Sequence, residues 1–205
     1  APLAWAKNNQ YGTLAYHDVV DEAGSIYHQV KTSEQNPKSD ILKAYYPQTI
    51  SKKTLISHFN WLKSNGYNVV SWQDILDSQT GKKTLPDKAV LLTFDDGYES
   101  FYRIVYPLLK EYNYPAVFAV VTSLLDQAPN SMVVFGDTRI ARGAFVTWPQ
   151  IKEMSDSGLV EIASHTHNMH RAIKANPGGS AYPAVFSAQY AQGRYESPAD
   201  YHQRL

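Results

Sequence analysis

The sequence predicts one α/β domain built on a parallel sheet, wound as a barrel or left open. Three observations carry that reading. Short apolar runs alternate with amphipathic helical stretches along most of the chain. One run, AVLLTF at Ala89–Phe94, is continuously apolar, as a strand buried on both faces requires. Polar clusters of Asp and His fall where strands end, which is where parallel α/β folds build their sites.

Taken in order, Tyr11–His17 (YGTLAYH) reads as the first strand, closed by the turn-prone stretch Asp18–Gly24. Residues 31–49 are polar, carry two prolines and show no period, so they read as a surface loop. Ser51 caps a helix over residues 52–65, in which Leu55, Ile56, Phe59 and Leu62 share one face and Gly66 marks the end. Tyr67–Trp72 reads as a strand, Gln73–Ser78 as a helix, and Ala89–Phe94 as the buried central strand. A helix over Tyr98–Asn113, a strand over Pro115–Val121, a loop to Thr147, a helix over Trp148–Ser157 and a strand over Leu159–Ser164 continue the alternation. Thr147 with Pro149 and then Gly158 supply the start and stop signals of the last helix. Residues 174–196 read as a loop, and Ser197-Pro198 opens a helix that runs to Leu205. No linker divides the chain and no internal repeat is visible, so residues 1–205 read as one domain.

Composition narrows the function. The chain has 205 residues, 43% apolar and 19% charged, with 19 Lys+Arg balancing 19 Asp+Glu, which argues against disorder and against a basic nucleic-acid-binding face. There is no cysteine, so a metal would have to take imidazole and carboxylate donors. No apolar run reaches the length of a membrane span, and Ala1-Pro2-Leu3 has neither a basic leader nor an apolar export segment. The 15 Tyr and 4 Trp offer flat faces of the kind that stack on sugars, although core packing accounts for most of them; Trp72, Trp148 and Tyr182 are the candidates for stacking.

Three clusters converge at strand ends: His17-Asp18, Asp95-Asp96 and His165–His170. Adjacent carboxylates repel unless a cation or proton lies between them, although one Asp capping the following helix and the other in solvent would also satisfy the pattern. Gly97 permits close backbone approach. SHTHNMH places three imidazoles within six residues, and neutral imidazole is a frequent ligand of divalent metals. His165 and His170 would lie about 140° apart on a helix, so joint ligation needs a turn, whereas His165 and His167 would share one face of a strand. Spacing alone does not choose between them. A site of one carboxylate and two imidazoles leaves positions for water and substrate, and suits Zn, Co, Ni or Fe. His17, alone at its strand end, reads equally as structural or catalytic.

TFDDG at Thr93–Gly97 followed by SHTHNMH resembles the polysaccharide (NodB-like) deacetylases, a carbohydrate esterase family. The resemblance implies that Asp95 is the catalytic base and that Asp96, His165 and His170 bind the metal, with His167 outside the ligand set. It also implies a distorted (β/α)7-type barrel. That family usually spaces its two histidines four apart, whereas here they are five apart. In this the chain is similar to the poly-β-1,6-N-acetyl-D-glucosamine deacetylases of bacterial biofilms (the PgaB, HmsF and IcaB type), and YHDVVDEAG at Tyr16–Gly24 resembles their early histidine segment. VLLTFDDGYESFY, VFGD at Val134–Asp137 and TWPQI at Thr147–Ile151 extend the match over nearly the whole chain.

From this resemblance follow several expectations. His17 is the general acid, and the substrate is poly-N-acetylglucosamine. The setting is the periplasm or cell envelope, anchored at the outer membrane in the full-length protein, with an export porin as partner. The chain is expected to be an incomplete N-terminal portion, with further strands and a glycoside-hydrolase-like domain beyond Leu205. The rival readings are a non-catalytic glycan-binding protein with a structural metal, metal-dependent phosphoester or glycosidic hydrolysis, and a deacetylase of chitin-like or peptidoglycan substrates.

Overall fold

The computed structural model describes residues 9–21, 48–136, 138–174, 181–184 and 197–199. Its centre is β5 (Ala89–Phe94), and the burial of this strand explains its sequence. Val90, Leu92 and Phe94 point into the larger apolar core, while Ala89 and Leu91 pack on the opposite side with Val70, Ile75 and Leu85. A strand with both faces covered has no use for polar alternation, hence AVLLTF.

Around β5 the strands β1 (Tyr11–Tyr16), β4 (Asn68–Val69), β6 (Ala116–Val120) and β9 (Val160–Ser164) form an all-parallel sheet in the order β1-β5-β6-β9, with β4 also paired to β5. Tyr16 lies opposite Phe94, and Val120 opposite Ser164, so the carboxyl ends of β1, β5, β6 and β9 come out on one edge. Two short strands, β2 (Val19–Val20) and β3 (Ile50–Ser51), pair in parallel beside this edge.

The helices follow local signals. In α1 (Lys52–Ser64), Ser51 accepts from the Thr54 amide, and Leu55, Phe59 and Leu62 are buried at helical spacing. α2 (Trp72–Gln79) starts at a capping box of Ser71 and Asp74. That box shortens the expected strand at Tyr67–Trp72 to β4, because Ser71 must leave the sheet to cap; Val70 still donates to Val90 O at 2.9 Å. The helix expected over Tyr98–Asn113 starts at Glu99, since Tyr98 bridges to Phe145, and it passes through a π-helical turn at Phe101–Val105 before α3 (Tyr106–Tyr112). Phe101 stacks on Phe118 with ring centroids 4.0 Å apart, joining this helix to β6. α5 (Trp148–Asp156) has the expected Thr147 cap, completed by Gln150.

Two loops expected from the sequence are not plain loops. The segment up to Thr147 contains α4 (Thr122–Leu125) and a hairpin of β7 (Met132–Phe135) and β8 (Thr138–Ala141), followed by a 3-10 turn at Arg142–Ala144. The polar segment after residue 174 contains β11 (Ala181–Pro183), antiparallel to β10 (Ala172–Lys174). Most of the loop expected over 31–49, with His28 and His202 and nearly all of the last helix, falls outside the described residues. No helix among the described residues is long and apolar enough to cross a membrane.

Candidate metal centre

Asp95 follows β5 directly, and its amide donates to Tyr16 O at 2.9 Å, so the ends of β1 and β5 are tied together. The chain then turns sharply through two left-handed residues, Asp96 at φ 75° and Gly97 at φ 85°. Asp tolerates that region better than most side chains, and Gly adopts it freely. The turn sends the two carboxylates to different surroundings. Asp96 is 2% exposed and points inward, while Asp95 stays a quarter exposed, with Oδ2 at 4.0 Å from His17 Nε2.

After β9 the chain makes a second unusual turn at Thr166, a β-branched residue at φ 73°. Such a conformation is strained and persists only when neighbours hold it. Here the Thr122 and Ser123 amides at the start of α4 bond Thr166 O and His167 O, and the Thr166 hydroxyl accepts from the Met169 amide. The turn swings His167 away to Thr122, whose Oγ1 lies 2.8 Å from its Nδ1, and brings His165 and His170 to face Asp96.

Asp96 Oδ1 lies 3.0 Å from His170 Nε2 and 3.3 Å from His165 Nε2. Asp96 Oδ1 is buried and has no hydrogen-bond partner among the described residues. Three ligand atoms within 4.8 Å of one another, one from a carboxylate and two from imidazoles, are what a divalent cation needs. Burial pushes the Asp96 carboxyl upward, but His165 and His170 outweigh it and hold it well below the usual carboxylate range. Contact with Asp96 raises His165 above the ordinary imidazole value, against the opposing effect of burial.

The surrounding wall contains residues that the sequence reading left unassigned. Phe135, at the end of β7, stacks on His170 with centroids 4.2 Å apart. Tyr98 and Phe145 pack against Phe135 in turn. Arg142 is buried, and its guanidinium donates to the carbonyls of Leu125, Phe145 and Val146, binding the loop that carries Val146, whose amide bonds Gly97 O. Gly136 at the turn between the two four-residue strands was the one local sign of the hairpin. Nothing in the sequence marked Arg142. Asp18 is buried too, accepting from Ser100 Oγ at 2.7 Å, and burial raises its carboxyl.

Of the three stacking candidates, Trp148 is 46% exposed with its indole N–H on Asp126, and Trp72 is 37% exposed, so neither is buried in the core. The Tyr182 side chain falls outside the described residues. His58 packs under Tyr16, its Nδ1 3.2 Å from the phenol oxygen.

The fold and centre define a class: an α/β domain carrying an Asp-His-His donor set, with a second carboxylate beside it, at the carboxyl ends of parallel strands. The chain belongs to the polysaccharide deacetylase family, whose description matches residues 82–193. A de-N-acetylase from Aggregatibacter actinomycetemcomitans superposes with a TM-score of 0.75 at 52% identity, covering 95% of this chain and 69% of that one. The BpsB deacetylase domain from Bordetella bronchiseptica superposes with a TM-score of 0.71 at 39% identity over the same shares. The poly-β-1,6-N-acetyl-D-glucosamine N-deacetylase of Escherichia coli K12 is 39% identical over 201 residues; these are 97% of this chain but 27% of that protein. The distorted barrel expected for the family is thus the fold this chain shares, and the described strands form an incomplete portion of it.

Proposed function

We propose that this domain removes N-acetyl groups from a polymer of N-acetylglucosamine, with poly-β-1,6-N-acetyl-D-glucosamine as its substrate. The observation that carries the proposal is the division of labour between adjacent carboxylates: Asp96 is buried against two imidazoles, and Asp95 is partly exposed beside His17. The relative from E. coli, similar over nearly all of this chain, supports the choice of polymer.

Asp96, His165 and His170 hold the divalent cation in this reading, with Zn, Co, Ni and Fe all suited to such donors. A cation bound there supplies Lewis acidity to the acetamide carbonyl and to water. Asp95 accepts a proton from the attacking water, whose oxygen forms the new bond to the carbonyl carbon. The backbone N–H at Tyr98, following the left-handed turn, donates to the oxyanion. His17 enters protonated on Nε2 and delivers that proton to the amine nitrogen as the C–N bond breaks, giving acetate and a free amine. The product polymer gains a positive charge at each cleaved residue, which fits a role in export through an outer-membrane porin and in biofilm assembly at the cell envelope.

Acetate release from β-1,6-linked N-acetylglucosamine oligomers, measured with and without a chelator, tests this directly. Release that stops on chelation and returns with added Zn²⁺ is expected. Release from β-1,4-linked oligomers alone would move the substrate to chitin-like chains, and binding of oligomers without release would make the domain a glycan-binding module.

A further inference from the structure

Histidines that ligate metals usually anchor their second ring nitrogen through a hydrogen bond, which sets the ring plane and tautomer. His170 departs from this habit. Its Nδ1 is buried and has no hydrogen-bond partner among the described residues. The ring instead lies against Phe135, 4.2 Å away between centroids and only 13° from parallel. Phe135 is 2% exposed, with Tyr98 at 5.7 Å and Phe145 at 5.4 Å packed against it, so it has nowhere to move. The next residue, Gly136, donates its amide to His170 O at 3.1 Å, so the β7–β8 hairpin grips both the backbone and the ring of the same histidine.

We propose that Phe135 is a positioning residue of the cation site, its ring face setting the imidazole plane of His170 in place of the usual hydrogen bond. This rests on His170 being a ligand, as in the reading above. The two torsions of a histidine side chain leave Nε2 free to swing over several ångströms. A buried aromatic face parallel to the ring confines the second torsion to narrow ranges half a turn apart, and this fixes the plane in which Nε2 meets Asp96.

The test uses Zn²⁺ titrated alone against a competing chelator, in the unaltered protein and in Phe135→Leu, Phe135→Met and His170→Ala. Loss of the ring is expected to weaken Zn²⁺ binding about tenfold in each folded Phe135 variant, the low end of the range for outer-shell ligand partners. A lowered melting temperature with unchanged Zn²⁺ affinity would show a merely structural side chain and overturn the inference while leaving the site intact. Zn²⁺ binding by His170→Ala at full affinity would overturn the site reading, and this inference with it. Should both Phe135 variants fail to fold, proton NMR of the unaltered protein decides. The His170 ring protons are expected upfield through the Phe135 ring current, with Overhauser contacts to that ring, and unshifted signals would overturn the inference.

Discussion

His17 Nε2 stands 4.0 Å from Asp95 Oδ2 because β1 and β5 pair in parallel and end together, with Tyr16 opposite Phe94 and the Asp95 amide bonded to Tyr16 O. The two side chains face each other from neighbouring strand ends. Ser100 adds a clamp from the following helix, donating to Asp18 Oδ1 and lying 3.4 Å from the Val19 amide that donates to it.

Asp95→Asn and His17→Ala should each lower acetate release by about 10²–10⁴-fold, the usual worth of a general base or acid. Neither should weaken Zn²⁺ binding, because neither belongs to the three-donor set. Parallel measurements of turnover and of Zn²⁺ stoichiometry check this, and loss of metal from Asp95→Asn would count against its role as an unbound base.

Asp96→Asn and His165→Ala should lose stoichiometric Zn²⁺ and reduce turnover to background. Removal of a donor from a site to which the described residues bring three ligands leaves two, too few to hold the ion. Metal content after dialysis is the readout, and activity in a metal-free Asp96→Asn protein would sink the assignment.

Zinc affinity should rise with pH. In the metal-free protein His165 is held above the ordinary imidazole value of 6.5 by Asp96, so its charged form stabilises the fold fully below 6.5 and that contribution is lost as pH climbs through the raised value. Asp96 is depressed, so its contribution is present above the ordinary 3.8 and disappears on acidification. Zn²⁺ needs neutral imidazole and must displace the His165 proton below that raised value. Calorimetry in buffers of differing ionisation enthalpy should show proton release on Zn²⁺ binding at pH 6 that fades as pH rises through that raised value. The gap in melting temperature between the metal-free protein and its His165→Ala variant should narrow over the same interval.

Gly97→Ala should destabilise the protein by about 1–2 kcal/mol through backbone strain, the cost of a left-handed conformation for an L-residue. Space is not the difficulty, since a Cβ there would meet Val120 at 3.4 Å, an ordinary contact. Denaturant unfolding measures it, and a neutral result would show that the turn can relax.

Arg142→Ala should cost about 3 kcal/mol, because three buried carbonyls lose a charged donor at once. Turnover of the folded fraction should fall as well, since the loop it holds bonds Gly97 O through the Val146 amide. Equilibrium unfolding together with specific activity separates the two effects.

The parts of this molecule that could be read from its residues are those where a local pattern determines structure. AVLLTF is typical of a doubly buried strand, and Ser51 and Thr147 had the chemistry of caps, so β5, α1 and α5 lie where expected. The hairpin β7–β8 was passed over because its two strands are four residues each, too short for alternation to stand out. The choice among three histidines could not be made from spacing, because it depends on Thr166 adopting a backbone angle that its own side chain disfavours. Tertiary bonds from α4 help to hold that angle, and such bonds leave no trace in the order of residues. Phe135 and Arg142 escaped for the same reason: their roles come from what packs beside them.

Anomalous diffraction at the zinc edge, from crystals of this protein grown with Zn²⁺, addresses the division between the two carboxylates most directly. A single peak is expected about 2 Å from Asp96, His165 and His170, with the Asp95 carboxylate outside its coordination sphere and facing His17. A peak ligated by Asp95, or none between those three side chains, would contradict the hydrolytic centre described above.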